Sequence, residues 1–242
     1  MKRQLICILT LATGIWAIPL DTTRIFDLQT KKNQQLFTVQ KGTTKKEGMY
    51  KSFHPNGQLA HEGTYADGKL EGSWKSYYEN GKVWKELSYK NGLEDGNSRV
   101  WNENGVLLNE NNYRAGDYEG SQKTYSDNGD PISEETYQSN RLHGVARLWE
   151  GKVLVRELHY KEGKLDGSVK VWWPNGQLKS EMPFKGSVPH GTVRNFDENG
   201  ALQFQGDYID GARNGKHIRY DRGMPIETQV YEKDNCIEGC KN

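Results

Sequence analysis

The side chains able to do chemistry are present in this chain, but their spacing assembles no catalytic set. The six histidines are scattered. His143 and His190 each stand directly before a glycine, at a place held elsewhere by Glu47, Glu71, Asp95, Glu119 or Asp166. They therefore read as polar turn residues rather than as bases or metal ligands. Asp127-Asn128-Gly129-Asp130 offers carboxylates like a calcium loop but lacks the downstream glutamate that such a loop needs, and reads as a hairpin turn. There is no Gly-x-Ser-x-Gly elbow, His-Glu-x-x-His pair, phosphate loop or dinucleotide fingerprint. The expectation is a protein that is not an enzyme and carries no metal, cofactor or small-molecule substrate.

What remains is binding chemistry, from charges and rings. The net charge is only +1, so no basic excess exists to neutralise phosphates and nucleic acid is not an expected partner. Aromatic residues make up 11%, with 13 Tyr and 7 Trp, although only 34% of the chain is apolar. Mean hydropathy is −0.92. Disordered chains are poor in rings, so this composition points to short strands and turns packed through aromatics.

Those rings recur at a fixed period. Gly48, Gly72, Gly96, Gly120, Gly144, Gly167, Gly191 and Gly215 follow one another at steps of 24, 24, 24, 24, 23, 24 and 24. Five residues after each of these anchor glycines comes a ring: Phe53, Tyr77, Trp101, Tyr125, Trp149, Trp172, Phe196 and Tyr220. A second ring column runs Tyr65, Tyr89, Tyr113, Tyr137, Tyr160, Phe184, Tyr208 and Tyr231. Between the two rings lies Asn-Gly in six repeats, at 56–57, 80–81, 104–105, 128–129, 175–176 and 199–200. Asn-Gly flanked by apolar runs predicts a hairpin with a two-residue type I′ turn. Further turns at Asp67-Gly68, Asn91-Gly92, Ala115-Gly116, Glu162-Gly163 and Asp210-Gly211 join one repeat to the next. The fifth and eighth repeats depart, with shortened spacing at Trp149-Glu150-Gly151 and Asp221-Arg222-Gly223.

The charges test this register. Residues equidistant from the Asn-Gly turns put Lys51, Lys75, Arg99, Lys123 and Lys170 opposite Glu62, Glu86, Glu110, Glu134 and Glu181, and Arg194 opposite Gln205. Opposite charges across a strand pair stabilise by roughly 0.2–1 kcal/mol each. The same register predicts the second ring column on the other face, together with Leu59, Val83, Leu107 and Leu202. The fold expected is all-β: about eight 24-residue antiparallel hairpins in an elongated, continuous single-layer sheet that is free to curl.

Segments such as Tyr65-Ala-Asp-Gly-Lys-Leu-Glu-Gly-Ser-Trp74, followed by Tyr77-Tyr78-Glu-Asn-Gly81, resemble the MORN-repeat variant family, bacterial relatives of the membrane occupation and recognition nexus repeats. The resemblance spans about residues 45–232. It implies stacked β-hairpins. It also implies either an antitoxin-like neutraliser of a partner toxin, a label that bacterial members often carry, or a lipid- or protein-binding module like the better-known repeat. The glycines here are sparser than in that shorter pattern, so the resemblance does not carry lipid binding over to this chain.

The N-terminus reads as a separate object. Met1-Lys2-Arg3-Gln4 is basic, and Leu5 to Trp16 is a mostly apolar run of 12 residues. That is too short for a spanning helix of roughly 20 residues and has the size of a signal-peptide core. The expected cut falls after Gly14 or Ala17. The expected segments are a signal peptide at 1–17, a lead-in or cap at 18–44, the hairpin repeats at 45–232 and a tail at 233–242. Leu36-Phe37-Thr38-Val39 is expected to add a partial strand over the first edge. Cys7 leaves with the signal, so Cys236 and Cys240 remain as a pair expected to form a disulfide in an oxidising compartment. The localisation expected is periplasmic, cell-envelope or secreted.

Regular columns serve folding in every repeat, so a binding site is expected where repeats differ. Trp84, Trp149 and Trp173 are the candidate partner-binding residues. The predicted function is an exported, non-enzymatic repeat scaffold for protein–protein contact. The alternatives are an antitoxin-like neutraliser and a module associated with the membrane or cell wall.

Overall fold

The computed structural model describes residues 5–10, 20–27 and 32–240. The candidate cleavage sites at Gly14 and Ala17 lie outside the described residues. Every regular element among the described residues is a β-strand, and every pairing between them is antiparallel. The chain divides into two compact units. The first is Met1–Tyr118 with Asp127–Gly129, and the second is Glu119–Ser126 with Asp130–Asn242.

In the first unit the strands Leu5–Thr10, Leu20–Asp27, Lys32–Gln40, Lys46–Phe53, Leu59–Ala66, Gly72–Tyr77, Val83–Lys90, Gly96–Trp101 and Leu107–Arg114 each pair with the next. The lead-in strand Lys32–Gln40 is longer than the four residues expected and does not end the ladder, because Leu20–Asp27 pairs beyond it. The second unit repeats the plan from Gly120–Tyr125 to Met224–Glu232, and Asn235–Glu238 adds the last strand. No helix among the described residues is long and apolar enough to cross a membrane.

The anchor glycines recur because the backbone needs them. All eight have positive φ, from 73° at Gly72 to 117° at Gly167, a region costly for other residues. At Gly144, for instance, the ladder shifts register between the Glu135–Ala146 and Tyr137–Leu142 pairs, as a β-bulge does.

The two kinds of turn are the reverse of the expected assignment. At the Asn-Gly pairs only the glycine has positive φ. The type I′ signature, positive φ at both central residues, belongs instead to the inter-repeat turns: Asp67 at 49° with Gly68 at 79°, Asn91 at 54° with Gly92 at 83°, Ala115 at 52° with Gly116 at 90°. The Asn-Gly loops are wider. Tyr78 N donates to Lys82 O at 2.9 Å and Gly81 N to Tyr78 O at 2.9 Å, which makes a three-residue loop.

That extra residue displaces the ladder by one, and a bulge directly after it restores the register. Tyr77 pairs with Val83 but Ser76 pairs with Lys85, leaving Trp84 without a partner across the strand. Two consequences follow. Beyond the bulge, Lys75 faces Glu86 as expected. Nearer the turn, Leu59, Val83, Leu107 and Leu202 become cross-strand partners of the first ring column, facing Phe53, Tyr77, Trp101 and Phe196. They do not accompany the second ring column, because the sequence-based register took no account of the bulge.

Burial is shallow. No large side chain is fully buried among the described residues, and Leu87, Ala146 and Val193 are among the most enclosed apolar groups. Rings cover the backbone instead. Trp74 lies over Gly63 and stacks on Tyr50, with centroids 5.4 Å apart. In the second unit His217 lies over Gly206, with Tyr231 at 4.9 Å and Tyr208 at 5.2 Å.

Candidate functional site

The regular charges are spent on one another. In the first unit Lys51, Glu62, Lys75, Glu86, Arg99 and Glu110 stand side by side on six successive strands. In the second, Lys123, Glu134, Arg147, Glu157, Lys170, Glu181 and Arg194 do the same on seven. Arg147 touches acids on both sides, Glu157 at 2.8 Å and Glu134 at 3.5 Å. Tyr77 donates to Glu62 at 2.6 Å. That hydroxyl, with Lys51 and Lys75 adding, holds the Glu62 carboxyl below its ordinary range. Burial first, and then Glu62, pushes the Tyr77 phenol up to about 12.

The acid before each of the first four anchor glycines has a local task. Glu47, Glu71, Asp95 and Glu119 accept from the backbone N–H of Asp67, Asn91, Ala115 and Ser139 at 2.7, 2.8, 3.0 and 2.9 Å. Each carboxylate thus caps the inter-repeat turn that follows. His190 takes the same place and accepts from Asp210 N at 3.4 Å. Among the described residues no cluster of three or more His, Cys, Asp or Glu is placed to hold a metal ion.

The opposite edge, at the Asn-Gly loops, joins successive repeats by side chains. Asn56, Asn80 and Asn175 donate to the carbonyls of Glu79, Glu103 and Glu198 at 2.9, 3.3 and 2.7 Å. Asn56, Asn80 and Asn175 also accept from the backbone two residues on. In three repeats the residue six after the anchor glycine makes a parallel link. His54, Tyr78 and Trp173 donate to the carbonyls of Tyr77, Trp101 and Phe196 at 2.8, 2.7 and 3.1 Å.

This edge holds a concavity in the first unit. A pocket of about 570 Å³ is lined by Tyr78, Trp84, His54, His61, Glu79 and Glu103, among others. The Tyr78 and Trp84 rings are 6.2 Å apart and inclined at 48°. Trp84 is 42% exposed. His61 bonds Ser76 Oγ at 2.9 Å and stacks on Trp74. Burial, and after it the neighbouring His54, pulls the His61 imidazole below its ordinary value. Burial and then Glu103 push the Tyr78 phenol up.

The three tryptophans singled out by sequence occupy different settings. Trp84, in the first unit, is the unpaired bulge residue of an open pocket. Trp173, in the second, is engaged: its indole N–H is bonded to Phe196, and the Lys179 ammonium lies 4.1 Å from its ring centroid. Trp149 stays in the regular first ring column, opposite Leu154. No ring contact joins Trp149 to Trp173 among the described residues. Cys236 and Cys240 are joined by a disulfide, with Cα atoms 5.9 Å apart. Sequence reasoning missed Tyr78 as the partner of Trp84. The signal available was its place, six residues after an anchor glycine, where a hydrogen-bonding side chain recurs.

The bulge column is where the repeats differ most in character: Ala60, Trp84 and Leu108 in the first unit, then Ile132, Val155, Lys179, Gln203 and Ile226 in the second. Ile132 is 42% and Ile226 65% exposed.

Antiparallel hairpins of one length, anchored by one glycine each and presenting a variable column on an invariant frame, define a β-repeat binding scaffold. The particular kind is the MORN repeat variant, whose family model matches residues 46–67, 70–91, 94–115, 118–139, 165–185 and 189–210; the chain belongs to that family. No curated protein matches it. Among solved structures it is similar to the crystal structure of TcdB2-TccC3-Cdc42, at 11% identity over 88% of this chain and 14% of that one, with a TM-score of 0.23. It is likewise similar to that of TcdB2-TccC3-TEV, at 11% identity over 90% of this chain and 14% of that one, with a TM-score of 0.22. The chain thus spans only 14% of the length of either.

Proposed function

We propose that this chain is an exported, non-enzymatic scaffold that binds a protein partner through its bulge column and Asn-Gly edge. The observation that carries this reading is the contrast between columns. The regular charges are paired along each ladder, whereas the bulge position changes character from repeat to repeat and leaves Trp84, Ile132 and Ile226 exposed. Large rings in such places are the usual anchors of protein interfaces, each contributing roughly 2 kcal/mol or more. An exposed ion pair contributes only about 0–1 kcal/mol. The apolar run behind a basic N-terminus and the Cys236–Cys240 disulfide both suit an oxidising compartment outside the cytoplasm.

The test is affinity capture from a cell-envelope extract of the native host with the wild-type chain, Trp84→Ala and Lys75→Ala. Circular dichroism should first establish that both variants are folded. Trp84→Ala is expected to lose the captured protein and Lys75→Ala to keep it. Retention by Trp84→Ala with loss by Lys75→Ala would make the surface electrostatic and overturn the assignment.

A further inference from the structure

The repeats annotate one another. In the repeat anchored at Gly72, Tyr78 and Trp84 stand six and twelve residues on; in the repeat anchored at Gly167 the same two places hold Trp173 and Lys179. The two places are equivalent in bonding as well. Tyr78 donates to the carbonyl of Trp101, and Trp173 donates to that of Phe196, the ring residue of the next repeat in each case. Trp84 and Lys179 are both the unpaired residue of the bulge. In the later repeat the chain supplies its own ligand, since the Lys179 ammonium sits 4.1 Å from the Trp173 ring centroid. Glu198 there has the place that Glu103 has here.

In the Gly72 repeat a second ring, Trp84, replaces the lysine. The two rings are 6.2 Å apart at 48°; Glu79 and Glu103 also line the pocket, and the Glu103 charge reaches the Tyr78 phenol. Neither carboxylate has an ion-pair partner among the described residues, and no Lys or Arg lies over either ring. Lys82, in the same turn, is occupied by the Asn104 carbonyl at 3.1 Å. The chain uses ammonium–ring contact elsewhere too: Lys46 lies 4.4 Å from the Tyr50 centroid and 4.9 Å from that of Tyr65. A ring's negative face attracts a cation, and carboxylates add direct charge complementarity.

We infer that the Tyr78–Trp84 pocket receives the ammonium of a lysine side chain presented by a partner protein. The inference rests on the scaffold reading above and names the chemistry of its contact. A lysine carries a four-carbon stem that lies along ring faces while its head meets the acids. The pocket's volume of about 570 Å³ exceeds one ammonium, so the stem and flanking backbone of a peptide are needed to fill it.

The test is a titration of the intact chain with a blocked Gly-Ser-Lys-Ser-Gly peptide, following the Trp84 indole N–H by NMR. Parallel titrations use the same peptide with norleucine in place of lysine, and choline alone. Saturable binding is expected for the lysyl peptide and not for the other two. Glu79→Gln combined with Glu103→Gln should weaken it by roughly tenfold. Trp84→Lys rebuilds the Trp173–Lys179 arrangement and should fill the site from within, abolishing binding while the melting temperature holds. For this variant and Trp84→Ala the readout is the Tyr78 ring resonances. Binding of the norleucine peptide equal to that of the lysyl peptide would overturn the inference, as would binding retained by Trp84→Lys. Choline binding as well as the peptide would remove the protein partner from it. A native partner still captured by Trp84→Lys would leave the scaffold reading standing and sink this one. Intact peptide binding with no captured protein would do the opposite.

Discussion

Replacing Gly63 by alanine sets two effects against each other. Gly63 sits within a strand and does not have positive φ, so alanine suits its backbone. By restricting the unfolded chain, Gly→Ala at such a place stabilises by about 0.4–1 kcal/mol. Here the new Cβ would fall well inside the contact radius of Trp74 Cε3, and 3.1 and 3.2 Å from Cζ3 and Cδ2. Carbon pairs prefer roughly 3.5–4.0 Å, so the indole must lift. Lifting loosens its stacking on Tyr50 at 5.4 Å and on His61 at 5.9 Å, and its edge contact with Tyr65 at 6.2 Å. Overpacking of this kind costs about 1–3 kcal/mol, so the net expectation is a loss of about 1–2 kcal/mol. Urea unfolding followed by near-ultraviolet circular dichroism reads the aromatic cluster directly. The decisive comparison is Gly63→Ala in a Trp74→Ala background, where the clash is gone and the substitution should turn neutral or stabilising. A coupling of about 2 kcal/mol is expected from two residues in contact. If Gly63→Ala raises the midpoint, or its effect adds simply to that of Trp74→Ala, the ring-on-backbone account is wrong.

Two further outcomes follow. Glu71→Ala removes the acceptor of Asn91 N–H; it should cost about 0.5–1.5 kcal/mol and speed amide exchange at Asn91 while leaving Tyr78, bonded to Lys82 O, protected. His61 binds its proton less readily in the folded chain than its ordinary value of 6.5 implies, because it is buried and faces His54. Its contribution to stability is therefore complete above about 6.5 and is lost as the pH falls below that toward the lowered folded value. The melting temperature should drop on mild acidification, and less so in His61→Gln; equal slopes would exclude His61 as the cause.

The repeat, the strand order and the charge pairing were legible because each recurs in residue type. Lys75 opposite Glu86 follows from counting outward from Asn80-Gly81. That count succeeds only because two departures cancel, a loop one residue longer than assumed and a bulge that takes it back. Neither alters composition, so neither leaves a mark in one sequence. The turn assignment failed for a related reason. Asn-Gly is the usual type I′ pair, yet Asn80 serves here as an acceptor for Lys82 N and a donor to Glu103. Ala115 and Glu162 are forced into positive φ by the tightness of the turns they occupy. Trp84 and Trp173 looked alike as irregular rings. What separates them is Lys179, a residue that becomes informative only when the bulge aligns it with Trp84.

At the Asn-Gly edge the links that join one repeat to the next end on main-chain oxygens. His54, Tyr78 and Trp173 are three different rings that share the possession of an N–H or O–H, and each finds a carbonyl 23 residues later. A carbonyl is supplied by any amino acid. That edge of the joint is therefore blind to the sequence it docks on, and a duplicated repeat needs no matching change there in its neighbours. An array built this way lengthens by copying and then diversifies at its bulges, where a lysine in one copy and a tryptophan in another leave the joint untouched.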